Sequence, residues 1–158
     1  MTEYRVRAAQ VQDIPAIIEI ARGMHDESSY APLRFDGRWL AANLQHMLDN
    51  GQGLFCATLE DVVVGGIICY TDRTIFSLDL VAFEHVLYLA PEHRRGRLAL
   101  RLVKKFIDWA KAKGCVQIRP GVTTGDVGKN AVLLYKAAGF QQVGETFVMD
   151  IAVEIEHA

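Results

Sequence analysis

The chain opens with an alternation. Tyr4, Val6 and Ala8 are separated by Arg5 and Arg7, which predicts a short, half-buried strand from Glu3 to Ala8. The spacing then becomes helical, with Ile14, Ile17, Ile18 and Ala21 on one stripe, Asp13 placed as a cap and Pro15 tolerated in the first turn. From Met24 to Phe35 the period lapses into His25, Asp26, Glu27, Ser28, Ser29, Tyr30 and Pro32, which predicts a loop. Asp36 opens a second helix with Trp39, Leu40, Asn43, Leu44 and Met47 on one side, and Asn50-Gly51 closes it.

From Gly53 the period shortens. Leu54 to Leu59 is predicted as a strand, Glu60-Asp61 as a tight turn, and Val62 to Tyr70 as the returning strand of a hairpin. Gly65 and Gly66 in mid-strand mark a bulge or a close backbone approach. After a polar break at Thr71 to Thr74, a strand runs from about Phe83 to Leu89. Leu98, Ala99, Leu102, Val103, Phe106 and Ala110 then fall on one helical face, opposite Arg101, Lys104, Lys105, Asp108 and Lys111, until Lys113-Gly114. Cys115 to Val122 is predicted as a strand, Thr123 to Lys129 as a looser segment, and Asn130 to Ala138-Gly139 as a fourth helix. Phe140 to Val143 and Phe147 to Val153 close the chain as two strands. The order β α α β β β α β α β β describes an α/β chain with a mixed sheet of about seven strands, covered by about four helices.

One stretch organises the rest. Val86 to Phe106 reads as a buried strand stopped by Pro91, a basic turn, and a long amphipathic helix. The turn is therefore a helix start, whose free N–H groups and positive dipole end face outward, and Arg94, Arg95 and Arg97 add full charges. An anion, such as a phosphate, is the expected occupant.

Composition narrows the picture further. In 158 residues, 51% apolar and 23% charged, there is room for one domain with a sizeable core, and residues 1–158 are read as a single domain. Seventeen basic against nineteen acidic residues give a net charge of −2, so the basic turn is local and neither nucleic acid nor an anionic membrane is an expected partner. Cys56, Cys69 and Cys115 sit singly in apolar runs, without the short paired spacing of a zinc or redox site, and no metal is expected. Reduced core thiols fit a cytoplasmic protein. The start, Met1 to Arg7, lacks the apolar segment of a signal peptide, and the longest apolar run, Val62 to Tyr70, is too short to span a bilayer.

Two segments resemble the Gcn5-related N-acetyltransferase (GNAT) superfamily. Pro91-Glu-His-Arg-Arg-Gly-Arg-Leu-Ala is similar to that family's acyl-coenzyme A pyrophosphate loop, and Asn130-Ala-Val-Leu-Leu-Tyr-Lys-Ala-Ala-Gly-Phe to its Asn…Tyr-x-x-x-Gly-Phe helix. Asp13-Ile-Pro at the first helix also looks familial. With Arg94 in the first loop position, Ala99 fills the last and Arg97 stands where Gly is expected. With His93 first, Gly96 takes the middle, but bulky Leu98 fills the final small position. The Arg94 to Ala99 register is preferred, because close approach of phosphate to a helix start needs a small residue there.

The resemblance implies a mixed, mostly antiparallel sheet whose parallel central pair splays at the cofactor site. It implies acetyl-CoA as cosubstrate, contacted by the main chain of Tyr88, Leu89 and Ala90, by the turn Arg94, Arg95, Gly96, Arg97, Leu98 and Ala99, and by Asn130 and Tyr135. The expected activity is N-acyl transfer to a primary amine by direct attack in a ternary complex. The amine must lose a proton and the leaving thiolate must gain one, so a base and an acid are wanted. Glu84 stands where many relatives carry the base, with His85 on the opposite sheet face as the other candidate, and Tyr135 matches the family's thiol-proton donor. Each has a plainer reading: a strand-end carboxylate for Glu84, an aromatic packing residue for Tyr135, a helix cap for Asn130. Tyr30, Trp39 and Met47 are candidate walls of an acceptor pocket, whereas His25, His46, His93 and His157 lack ligand spacing. A non-catalytic acyl-CoA-binding or regulatory module on the same fold is the competing reading, and a homodimer is expected from the sheet edge that the last strands leave.

Overall fold

The computed structural model describes residues 3–125 and 129–151. Strand β1 (Tyr4–Ala8) is followed by helices α1 (Ile14–Glu27) and α2 (Gly37–Asp49), and strands β2 (Gly53–Leu59), β3 (Val62–Arg73) and β4 (Leu80–Leu89) come next. Helix α3 (Leu98–Ala112), strand β5 (Gln117–Arg119) and helix α4 (Lys129–Ala137) complete the described elements. The sheet runs in the order β1-β2-β3-β4-β5, antiparallel throughout except for the parallel pair β4 and β5.

Both faces of the sheet are covered. Leu98, Leu102, Phe106 and Ala110 of α3 bury their stripe against Phe55, Ala57, Ile67, Ala82 and Leu89. On the other face Ile14, Ile17 and Leu44 of α1 and α2 meet Leu54, Cys56 and Ile68. Strand β2 therefore sends alternate residues into two cores, which is why it is apolar almost throughout. Each fully buried side chain of the size of Phe106 or Leu102 contributes roughly 1.5–3 kcal/mol by leaving water. Arg7 locks β1 to the start of α1 through a fork on Asp13 (2.7 and 2.9 Å), and Arg101 of α3 donates to Tyr4 O at 2.8 Å.

Two irregularities position the site. Cys69 faces Glu84 and Ile68 faces Val86, so His85 is an extra residue on β4. The bulge lets Glu84 stay on the face of Ala82 while Leu87 and Leu89 still reach the α3 core. The second lies where β3 meets β4 and β2 at Gly65 and Gly66. A Cβ on Gly65 would collide with Tyr88 O and the Leu89 side chain, and one on Gly66 would come 2.7 Å from Phe55 O. Beside them Ala57 faces Gly65 and Thr58 faces Val63, leaving Val64 as a bulge, so this stretch combines a bulge with a close approach.

Several boundaries differ from the sequence expectation. Helix α1 continues through the segment expected to be loop, because Met24 extends the stripe of Ile14, Ile17 and Ala21; Ser28, whose Oγ donates to His25 O, follows its end. Asp13 does not cap α1, since its carboxylate is taken by Arg7 and by the N–H of Gln10, whereas Asp36 caps α2 through the N–H groups of Arg38 and Trp39. Trp39 is 70% exposed, away from the stripe assigned to it. The sheet has five described strands against about seven expected: residues 140–151 pair with no strand, 141–151 are exposed, and the last two residues of the stretch expected to run to Val153 lie outside the described residues. Strand β5 is three residues long instead of eight. Pro120, with no N–H, follows directly. Glu60 and Asp61 form the expected tight turn, both at positive φ.

The close approach at Gly65 makes a direct test. Gly65→Ala should cost about 2 kcal/mol or more in denaturant unfolding, because the obstructing atoms include backbone. Gly144→Ala, with open space around its Cβ, should stay within about 0.5 kcal/mol of wild type. Equal stability of the two variants would contradict the packing described for β3 and β4.

Candidate active site

Strands β4 and β5 pair at Val81–Gln117, Ala82–Ile118 and Phe83–Arg119, and the next opposed positions would be Glu84 and Pro120. There the pairing stops. Across the opening Gly121 N–H donates to Glu84 Oε2 at 3.3 Å, and Tyr135 Oη on α4 donates to the same oxygen at 2.9 Å. Tyr135 is buried, and Phe140 packs edge-on against its ring at 5.5 Å. Glu84 and Tyr135, separated by 51 residues, thus form one hydrogen-bonded pair where the parallel strands part.

Burial dominates the electrostatics of this pair. It pushes the Glu84 carboxyl up to about 7, against the opposing pull of the donors Tyr135 and Gly121. The same burial, reinforced by the Glu84 charge and hydrogen bond, raises the Tyr135 phenol well above its ordinary value. Near neutral pH the site therefore holds a carboxyl poised to exchange its proton beside a phenol that keeps one. That is an arrangement for general acid–base chemistry.

The end of β4 is braced. Arg94 donates from Nε to Leu89 O at 2.8 Å and from Nη2 to Glu27 Oε2 at 2.8 Å, and its guanidinium lies over the Tyr88 ring. Tyr88 Oη donates to Glu27 Oε1 at 3.0 Å, beneath α1, where a Cβ on Gly23 would come within 2.9 Å of that hydroxyl. Ala90 N–H donates to Val64 O. The Arg94 side chain, the Leu89 carbonyl and the Ala90 N–H are thus engaged within the protein. The turn beyond them is open. Gly96 has φ +84°, the left-handed conformation that favours glycine, while Arg97 at φ −101° is in ordinary backbone space. Buried Leu98 anchors the start of α3, which has no side-chain cap, and Arg95, Gly96 and Arg97 are exposed around it. The uncapped N–H groups and basic surroundings fit an anionic group such as a pyrophosphate. Asn130 is exposed in the first turn of α4.

On the opposite face a cavity of about 470 Å³ opens between α1, α2 and the sheet. Tyr30 and Met47 line it and Trp39 does not, and His85 enters it from the β4 bulge, stacked on Tyr70 with centroids 4.1 Å apart. Burial lowers the His85 imidazole below its usual range. His25, His46 and Asn43 also line the cavity. Sequence reasoning set the two histidines aside because it looked for metal spacing; the usable signal was a polar Asn43 within an otherwise apolar stripe on α2. His25 Nε2 is buried without a partner among the described residues. No group of three or more His, Cys, Asp or Glu side chains among those residues is arranged to hold a metal ion, and no described helix is long and apolar enough to cross a membrane.

The parallel pair thus parts at a hydrogen-bonded carboxyl and phenol, beside an uncapped and basic helix start. Residues 15–140 match the model of the Acetyltransferase (GNAT) family, and the chain belongs to that family. It is similar to N-acetyltransferase 8 of Homo sapiens, at 29% identity over 104 residues, which cover 65% of this chain and 44% of that protein. The match thus spans less than half of that relative's length. Among solved structures, an acetyltransferase of Trypanosoma brucei shares the fold with a TM-score of 0.73 at 15% identity, covering 94% of this chain and 100% of the other. The aminoglycoside N-acetyltransferase AAC(6')-Iy, in complex with CoA, superposes with a TM-score of 0.72 at 16% identity, covering 97% of each chain. These likenesses establish the α/β fold with its mixed sheet.

The raised Glu84 carboxyl has a measurable consequence. Between pH 4.5 and about 7 the native state retains a proton that the unfolded chain has released, so this group lowers stability as pH rises through that window. Glu84→Gln removes the dependence, so denaturant titrations should show the variant gaining stability relative to wild type between about pH 5 and about pH 8. Parallel stability curves would mean that the carboxyl titrates in its ordinary range.

Proposed function

We propose that the protein is an acyl-CoA-dependent N-acyltransferase that moves an acetyl group from acetyl-CoA to a primary amine by direct attack in a ternary complex. The observation that carries this reading is the Tyr135–Glu84 hydrogen bond at the parting of β4 and β5. The uncapped start of α3 supplies N–H donors for the pyrophosphate, with Arg95 and Arg97 adding positive charge, and Leu98 and Ala99 close the helix side of that seat. The thioester supplies the activated acyl carbon. Glu84 accepts the proton that the attacking amine sheds as the C–N bond forms, and Tyr135 donates its phenolic proton to the sulfur as the C–S bond breaks. The two side chains then restore each other, because protonated Glu84 returns a proton to Tyr135 along the bond they already share. The products are an amide and a free thiol, and atoms and charge balance. In this reading residues 1–158 act as one N-acetyltransferase domain.

The competing reading, a binding module without turnover, gains nothing from Arg97, whose backbone conformation any residue adopts. Free-thiol release from acetyl-CoA with a panel of amines separates the two. Turnover supports the transferase, and tight binding without turnover supports the module. Tyr135→Phe keeps the ring and removes the proton, so turnover should fall by roughly 10² to 10⁴ with coenzyme A affinity unchanged. Full turnover in that variant would return Tyr135 to a packing role. Ala99→Glu, which sets bulk and negative charge against the phosphates, should abolish coenzyme A binding in calorimetry, while Arg95→Ala should weaken it far less. Wild-type affinity in Ala99→Glu would move the pyrophosphate elsewhere.

A further inference from the structure

Resting on the acyltransferase reading, we propose that the acceptor is a singly charged primary amine on an apolar, ring-bearing body held in the cavity between α1, α2 and the sheet, and that polycationic amines are excluded from it. Size is the first argument. A cavity of roughly 150 Å³ holds one benzene ring, so about 470 Å³ takes a substantial apolar body. Its walls are Met24 from α1, Leu40, Leu44 and Met47 from α2, and Ile68 and Val86 from the sheet. Two of these are methionines, whose flexible thioethers adapt to flat, irregular ligands.

Charge is the second argument, and it decides between amine classes. No Asp, Glu, Lys or Arg lines the cavity among the described residues. Glu27 holds Tyr88 and Arg94, Asp26 is largely exposed and meets His25 Nδ1 at 3.3 Å, and Glu84 lies on the other face with Tyr135. The polar lining is Asn43, Ser28, Tyr30 and the histidines at 25, 46 and 85, none of which is a carboxylate. Ser28 is already used, donating to His25 O and accepting from Tyr30 N–H. An amine entering this space loses hydration with no carboxylate to compensate, so its ammonium form is disfavoured and the neutral nucleophile that attack requires is favoured. One amine can shed its charge at the reacting end. A second or third ammonium finds no carboxylate on these walls to pair with.

Placement is the third argument. His85 and Val86 form part of the sheet side of the cavity and follow Glu84 directly in the chain, so the cavity lies against the strand that carries the carboxyl, on its opposite face. The fold alone does not set this preference. AAC(6')-Iy shares the architecture yet is named for aminoglycosides, which carry several ammonium groups.

Benzylamine and p-xylylenediamine test the inference cleanly, since they share a ring and differ by one charged arm. With saturating acetyl-CoA, kcat/KM from thiol release should favour benzylamine by about tenfold or more, with spermidine and kanamycin lower still. Asn43→Asp adds a carboxylate to the cavity wall at nearly constant size and should bring the diamine to within about threefold of benzylamine. Calorimetry of both amines on wild-type protein saturated with coenzyme A reads the same preference without turnover or any variant. Equal or better use of the diamine, spermidine or kanamycin by wild type overturns the inference and leaves the acyltransferase reading intact. Failure of benzylamine to bind also overturns it. Selective benzylamine binding without thiol release from any amine overturns the acyltransferase reading, and with it the role of this cavity as the acceptor site.

Discussion

The pairing of β4 with β5 stops after Phe83 and Arg119, at a point where β5 would next offer Pro120, which has no N–H to extend the ladder. Glu84 is the first β4 residue beyond that stop, and its carboxylate bridges the gap by accepting from Gly121 and Tyr135. This placement depends on the bulge at His85. Side chains alternate along a strand, so moving the bulge by one residue would turn Glu84 towards the α1 and α2 face and leave Tyr135 with no acceptor there. The chemistry of the site is a consequence of strand register.

That register is held from both sides. The face of Phe55, Ala57 and Ile67 is clamped by α3, and the same helix presents its uncapped start to solvent beside the end of β4. Arg94 joins the two by gripping the Leu89 carbonyl and Glu27 of α1, so strand end, turn and first helix form one braced unit. Gly65 and Gly66 let β3 approach its neighbours where any side chain would obstruct. Glu84 and the uncapped start of α3 therefore stand on the same β4–turn–α3 unit and Tyr135 reaches Glu84 from α4, while the cavity on the opposite face takes its shape from α1 and α2.

Much of this was legible in the chain. The stripe of Leu98, Leu102, Phe106 and Ala110 announced α3, and Asp36 announced α2, because these signals are local. Signals that depend on partners were harder to read. The α1 stripe runs on to Met24, but the polar residues after it masked its continuation, and β5 is cut short where Pro120 ends its pairing with β4. Apolar alternation in 140–151 announces strands that these described residues do not form, and Phe147, Met149 and Ile151 lie exposed. Glu84 and Tyr135 were each nameable from a family resemblance. Their meeting on one oxygen was not, because 51 residues and a bulge separate them. That His25, His46 and His85 line one cavity was hidden for a related reason: they come from three elements far apart in the chain.

A crystal structure of the protein with coenzyme A bound tests the central claim most directly, because it locates the reacting sulfur against the acid–base pair. The account predicts the thiol sulfur within hydrogen-bond reach, about 3.5 Å, of Tyr135 Oη at the parting of β4 and β5, with the pyrophosphate on the first turn of α3. A sulfur lying away from Tyr135, with the pyrophosphate seated elsewhere than the Arg94–Ala99 turn, would contradict it.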